Sequence, residues 1–138
     1  MKKTTLAAFA AVVSVAGPIA FGAAHAAGPI QVAQADPDPA VFAALMTDGE
    51  DGYNRNCRIC HGDEGQGVAG PQLAGNDFVA SSTAIVAQII FGYEDHGMPP
   101  FGDRLNDHVI AAIATYVRNS WGNAYGLVSE ATVAANRP

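Results

Sequence analysis

Apolar and polar positions along the chain fall into three helical stretches separated by two long segments without a period. Gly49, Tyr53 and Cys57 share one face at i, i+4 and i+8, and Thr47 or Asp48 stands where the N-cap of that helix belongs. Propensity argues against it, because Gly49 and Gly52 each cost about 1 kcal/mol relative to Ala. An inward glycine is accounted for where a second helix must approach closely. The second stretch is a two-turn stripe of Ile85, Val86, Ile89 and Ile90, with Ser81 or Ser82 as its cap and Gly92 as its stop. The third is the clearest. Val109, Ile113, Tyr116, Val117 and Ser120 trace one face behind a cap at Asn106 or Asp107, and Arg118 near the end suits the helix dipole. A short capped segment from Ser129 to Asn136 closes the pattern.

The Gly-rich stretch from Gly62 to Gly75 is loop, and so is Tyr93 to Leu105, where Pro99-Pro100 forbids continued helix. Neither strand alternation nor an internal repeat appears. The expected fold class is all-α, with loops of a length that is usually functional. Three helices of this size make a thin core, so something besides side chains is expected to fill the interior.

Before the helical region the pattern changes character. Lys2 and Lys3 precede an apolar run from Leu6 to Ala16, Gly17-Pro18 breaks it, and Ala24-His25-Ala26 offers the small residues of a cleavage site. This reads as a secretory signal over 1–26, cut after Ala26. An uncleaved anchor would need roughly 20 apolar residues without that interruption. Residues 27–46 read as a tether, rich in Ala, Gly, Gln and Pro and containing Asp36-Pro37-Asp38-Pro39, with Val41 to Met46 as an apolar element of undetermined type. The globular domain is expected over 47–138.

Charge narrows the partners. The chain carries seven Lys and Arg against thirteen acids. Loss of Lys2 and Lys3 with the signal leaves five arginines, no lysine and a formal −8. Phosphate backbones demand clustered cations, so nucleic acid is excluded, and no membrane span is expected in the mature form. An acidic exported domain is drawn to basic patches on protein partners, or is simply kept dispersed by its charge.

The chemistry is concentrated at Cys57-Arg58-Ile59-Cys60-His61. C-x-x-C-H is the pattern of covalent haem attachment. Two thiols three residues apart on one helical turn can each bond a vinyl group, and the adjacent histidine then lies under the ring as an iron ligand. A structural zinc site would need a second ligand pair, a thioredoxin-like redox pair would need a βαβ context, and a plain disulfide leaves His61 unexplained. For the sixth iron position the candidate is Met98, in Gly97-Met98-Pro99-Pro100, a soft thioether on a proline-stiffened loop. His96 is a rival ligand, and an open sixth site with Met98 merely packed on the ring is the other alternative.

In order along the chain stand Gly49, Tyr53, Cys57-x-x-Cys60-His61-Gly62, Gly70-Pro71-x-Leu73, Gly97-Met98-Pro99 and Tyr116-Val117-Arg118. This set resembles the class I (mitochondrial-type) cytochromes c over roughly residues 47–121. The resemblance implies a small cytochrome c fold, with three main helices and long loops round one covalent haem c. It also implies that the Pro71 carbonyl accepts from His61, that Leu73 packs on the ring, and that Gly49 and Tyr116 sit where the first and last main helices cross. Family members that dock through a lysine ring offer no precedent here, because no lysine remains. The stretch Tyr116 to Asn123 with Val128-Ser129 and Arg137 is similar to cytochrome subunits of bacterial periplasmic dehydrogenases.

The function expected is that of a periplasmic single-electron carrier, not itself an enzyme, exchanging electrons with a dehydrogenase donor and an oxidase or reductase acceptor. The alternatives are a dedicated cytochrome subunit of one periplasmic dehydrogenase, and a haem enzyme or gas sensor with an open iron.

Overall fold

Asp38 accepts a hydrogen bond from the Ala40 N–H and Pro39 takes the first helical position, so α1 of the computed structural model spans Pro39–Asn56. The structure describes residues 38–138. This start corrects the one expected at Thr47 or Asp48, and with it the tether boundary at residue 46, since residues 39–46 are the opening turns of α1. The Asp-Pro pair that reads as a helix breaker caps a helix instead, because a proline at its first position lacks only an N–H that would go unpaired anyway. The expected signal over 1–26 and the remainder of the tether, to residue 37, lie outside the described residues.

After α1 come a single turn, α2 (Arg58–His61), then α3 (Ser82–Phe91), α4 (Asp107–Asn119) and the short α5 (Glu130–Ala134). Ser81, Asn106 and Ser129 each cap the helix that follows, by accepting from the N–H of Ala84, Val109 and Thr132. Gly92 ends α3 with φ +69°. The connections contain 3₁₀ turns at Asp77–Ala80 and Glu94–His96 and one isolated bridge, Tyr93 to Met98, with no strand among the described residues. The chain belongs to the all-α class. No helix among the described residues is long and apolar enough to cross a membrane.

The crossing of α1 and α4 explains the poor helix propensity of α1. A Cβ at Gly49 would lie 2.1 Å from the Ala112 carbonyl oxygen, and one at Gly52 would lie 2.7 Å from Ile113 Cγ1. The two backbones meet at Gly49, and the bare Gly52 makes room for the Ile113 side chain. Beside the crossing, the rings of Tyr53, Tyr116 and Trp121 cluster with centroids 5.0–5.6 Å apart.

The stripe expected on α4 is only one of its buried faces. From Ile110 to Thr115 the helix is enclosed all round, by α1 on one side and by α3 and α5 on others. Arg118 also departs from expectation. It is 6% exposed and donates to the carbonyls of Ala80 and Tyr125, outside its own helix. Beyond α4 the chain reverses through Trp121 (φ +55°) and Gly122 (φ +90°). That turn lays the Trp121 ring over Gly65 and brings the Asn123 amide onto the carbonyls of Leu73 and Val117. The tail thus fastens the first loop to the helices.

Candidate functional site

Tyr53 begins the construction of the site. It is fully buried, and its hydroxyl donates to the Gly62 carbonyl at 2.7 Å, which ties the residue after His61 to α1. Burial, then the neighbouring Cys57, raises its pKa, so the phenol stays a donor. The chain leaves α1 at Cys57, makes the one turn of α2, and stops at Gly62 with φ +85°. The Cys60 carbonyl then accepts the N–H groups of Val68, Ala69 and Gly70 at 2.8–3.0 Å, curling the loop back under the turn.

That curl fixes His61. Its Nδ1 donates to the Pro71 carbonyl at 2.8 Å, and its ring rests against Gly70, where a Cβ would come within 2.8 Å of Cε1. With Nδ1 as the donor, Nε2 keeps its lone pair and has no partner among the described residues. An imidazole held by a backbone carbonyl on one nitrogen is arranged as a ligand on the other.

The free nitrogen borders a cavity of about 510 Å³ with a mostly apolar lining, which includes Leu73, Val79, Ile85, Ile89, Phe101 and Ile113. The volume lies in the range of small-molecule and cofactor sites. Cys57, Cys60 and Met98 border the same cavity. The two cysteines are not joined to each other in a disulfide. Burial, and then the charge of Cys60, pushes the Cys57 thiol up to about 12, so it is held protonated. Among the described residues no three His, Cys, Asp or Glu side chains converge to hold a bare metal ion.

Met98 comes from the second loop, and the fold holds it from three directions. Tyr93 and Met98 exchange backbone hydrogen bonds of 2.7 and 3.1 Å across a turn that Gly97 closes at φ +80°. Beyond Pro99-Pro100, the N–H groups of Phe101 and Gly102 donate to Ile89 and Ile90, carbonyls at the end of α3 that the helix leaves unpaired. The Gln88 amide donates to Met98 Sδ at 3.6 Å, leaving the sulfur's other lone pair available. His96 borders the cavity too, but its ring stacks on Tyr93 at 4.0 Å between centroids, in an exposed turn with Glu94 and Asp95.

All six residues expected at the site, Cys57, Cys60, His61, Pro71, Leu73 and Met98, border one cavity. Three contributors escape a reading of the sequence: the Tyr53 hydroxyl, the bare face of Gly70, and Gln88. Only Gln88 leaves a signal, as the polar residue three positions after Ile85 in an apolar stripe.

The donor set fits one kind of group. An imidazole and a thioether can supply two ligands, so a metal held here must bring its remaining ligands with it. A flat macrocycle with an apolar body and two side groups facing the thiols meets that requirement.

Comparisons with known proteins agree. The family model described as cytochrome C oxidase, cbb3-type, subunit III matches residues 44–117, more than half of the chain. The alcohol dehydrogenase (quinone) cytochrome c subunit of Gluconacetobacter polyoxogenes is 36% identical over 99 residues, 62% of this chain and 21% of the relative. The cbb3-type cytochrome c oxidase subunit CcoP of Azospirillum brasilense is 33% identical over 88 residues, 58% of this chain and 30% of the relative. Cytochrome c6 of Gracilaria tenuistipitata var. liui is 32% identical over 89 residues, covering 61% of this chain and 81% of the relative. The chain thus spans about a fifth of the dehydrogenase subunit and most of the small algal protein.

Proposed function

The chain belongs to the cytochrome c family, electron-transfer proteins with a covalently bound c-type haem, and on that premise we propose which of its residues hold the group and whom it serves. Cys57 and Cys60 are the attachment sites. Each sulfur would be joined to one vinyl group, the thiol hydrogen passing to the neighbouring vinyl carbon. The addition is redox-neutral. His61 Nε2 and Met98 Sδ would ligate the haem iron, and Leu73 would line its site. When bound, the group supplies a one-electron Fe(III)/Fe(II) couple, whose potential His/Met ligation raises relative to two nitrogen ligands.

The protein's part is to hold both ligands still. Pro71 fixes the imidazole and Gln88 steadies the thioether, while the Met98 loop is pinned to α3. Little therefore has to move when an electron arrives. The apolar walls keep water away, and low polarity disfavours the more charged oxidised state. The observation that carries this reading is the His61–Pro71 bond. It leaves Nε2 free on an apolar cavity that Met98 and the two thiols also border.

Ile59 and Val68 stand 84% and 72% exposed beside the cavity-lining Cys60 and Ala69. This apolar rim is the proposed exchange point with redox partners, in place of a lysine ring. The amino-terminal signal pattern supports export to the periplasm and removal of residues 1–26. The main reading is a carrier that cycles between a dehydrogenase donor and an oxidase or reductase acceptor, and the cytochrome c6 relative, matched over most of its length, favours it. The second reading is an electron-accepting subunit of one dehydrogenase, and the alcohol dehydrogenase relative favours that.

Producing the full chain in a cell that matures such cofactors tests the assignment. The exported protein should retain haem on a denaturing gel, and its ferric form should show the weak far-red charge-transfer band of His/Met iron. A colourless product with both thiols free would overturn it. Stable co-purification with a dehydrogenase would select the second reading over the first.

A further inference from the structure

Met98 is carried on a loop with two stems, and the two are held differently. On the near side Tyr93 and Met98 exchange backbone hydrogen bonds. The loop also leans on the bare face of Gly92, where a Cβ would lie 2.6 Å from the Met98 carbonyl oxygen. Pro99 and Pro100 then stiffen the chain as far as Phe101, because each fixes its own φ and restricts the residue before it. A displacement at Met98 is therefore passed on to Phe101 and Gly102 instead of being absorbed on the way.

The far stem runs from Gly102 to Leu105. Its N–H bonds stay close by, from Gly102 to Ile90 of α3 and from Arg104 and Leu105 back to Phe101. Its carbonyls reach farther. Those of Gly102 and Leu105 accept from Arg137 Nη1 and Nη2 at 2.5 and 2.8 Å. Arg137 Nε donates to the Asp107 carboxylate, in the first turn of α4, at 2.5 Å. One guanidinium thus spans both ends of the stem and the helix that follows. Among the described residues, Arg137 is the only residue beyond α3 and the loop that bonds to this stem. It comes from the end of α5, which the fully buried Val133 fixes on α3 and α4. The pair with Asp107 is partly shielded from water, its side chains 28% and 32% exposed. Charge-assisted bonds are about twice as strong as neutral ones, and the planar fork delivers three together.

We propose that Arg137 is a positioning residue for Met98: it clamps the far stem and so sets how seldom the thioether leaves the iron. The proposal rests on Met98 as the sixth ligand. The plain rival is a brace that fastens the carboxyl terminus to the domain and raises overall stability alone.

The test uses the exported ferric holoprotein and cyanide, which binds the iron only while Met98 is away. Cyanide below saturation is mixed with wild type and Arg137→Gln at several urea concentrations short of unfolding, and the haem absorbance is followed. Loss of a charge-assisted restraint should speed binding about 10- to 100-fold. The dependence of that rate on urea should stay shallow, because local opening exposes little surface. The far-red band of the variant should also fade on warming before its helices melt. Arg137→Lys, a point charge that cannot bridge all three acceptors, should fall between the two. If Arg137→Gln binds cyanide at the wild-type rate, or faster only with the steep urea dependence of global unfolding, Arg137 is a brace and the proposal is wrong. If that variant yields no holoprotein, Asp107→Asn decides, since it weakens one of the three bonds. Faster binding with a shallow urea dependence then supports the clamp, and an unchanged rate overturns it. A wild type without the far-red band overturns the Met98 assignment and the proposal with it. A wild type that shows the band, beside a variant whose rate has not moved, overturns the proposal alone.

Discussion

Replacing Gly49 by alanine tests the helix crossing against which the haem cavity is built. The new Cβ would lie 2.1 Å from the Ala112 carbonyl oxygen, and 2.7 Å from both its carbonyl carbon and Tyr116 Cβ. Two of these atoms are backbone, so no rotamer change clears them and the helices must separate. Overpacking costs about 1–3 kcal/mol, and a clash with fixed backbone belongs at the upper end. Alanine returns about 1 kcal/mol of helix propensity. The net loss is about 2 kcal/mol, which for a domain near 100 residues lowers the melting temperature by roughly 8–16 °C. Gly52→Ala is the control. Its nearest atoms are Ile113 Cγ1 at 2.7 Å and Cδ1 at 3.1 Å, on a side chain that can rotate, so repacking and propensity should roughly cancel. Thermal and guanidinium unfolding of both holoproteins, followed by far-UV dichroism and haem absorbance, compares them. Should Gly49→Ala equal or exceed Gly52→Ala in stability, the close-approach argument is refuted.

Met98→Ala should retain covalent haem but lower its potential and open the iron to carbon monoxide; loss of the ferric far-red band and rapid carbon monoxide binding are the readouts. Cys57→Ala should mature with a single thioether, seen as a shifted reduced α-band in the pyridine haemochrome. His108 bridges three helices, with Nε2 2.9 Å from Asp48 of α1 and Nδ1 2.9 Å from Glu130 of α5. The hydrogen bond to Asp48, and then that to Glu130, raises its pKa above the ordinary 6.5. A raised folded-state pKa means the clamp stabilises fully below the unfolded value and is lost as pH climbs through the folded one. Urea unfolding should therefore show stability falling as pH rises past the ordinary histidine value, by a modest amount because all three groups are well exposed, and His108→Gln should flatten that slope.

The helices were readable wherever local chemistry decides them. Ser81, Asn106 and Ser129 cap, and Gly92 stops, because a side-chain oxygen or a left-handed backbone acts within a few residues. The start of α1 was not, since Asp38-Pro39 serves equally well as a linker or as a cap, and only packing of Leu45 and Gly49 into the fold selects the helix. The candidate site residues stand out in the sequence for a similar reason. Cys57, Cys60 and His61 are neighbours in sequence, and Met98 is one of few soft ligands available. What holds them was hidden, because it depends on pairs far apart in the chain. Nothing in Asn123 announces that it will grip the Leu73 carbonyl, nothing in Trp121 that it will cover Gly65, and nothing in Arg118 that it will be buried. These three lie in one stretch, 118–123, which reads as a helix end. In the fold it joins α4 to the loop bearing Pro71 and Leu73 and to the turn bearing Ala80. The His61 imidazole is thus oriented by a loop whose own position is set from the far end of the domain. A change in that tail should therefore alter the iron's surroundings without touching either proposed ligand.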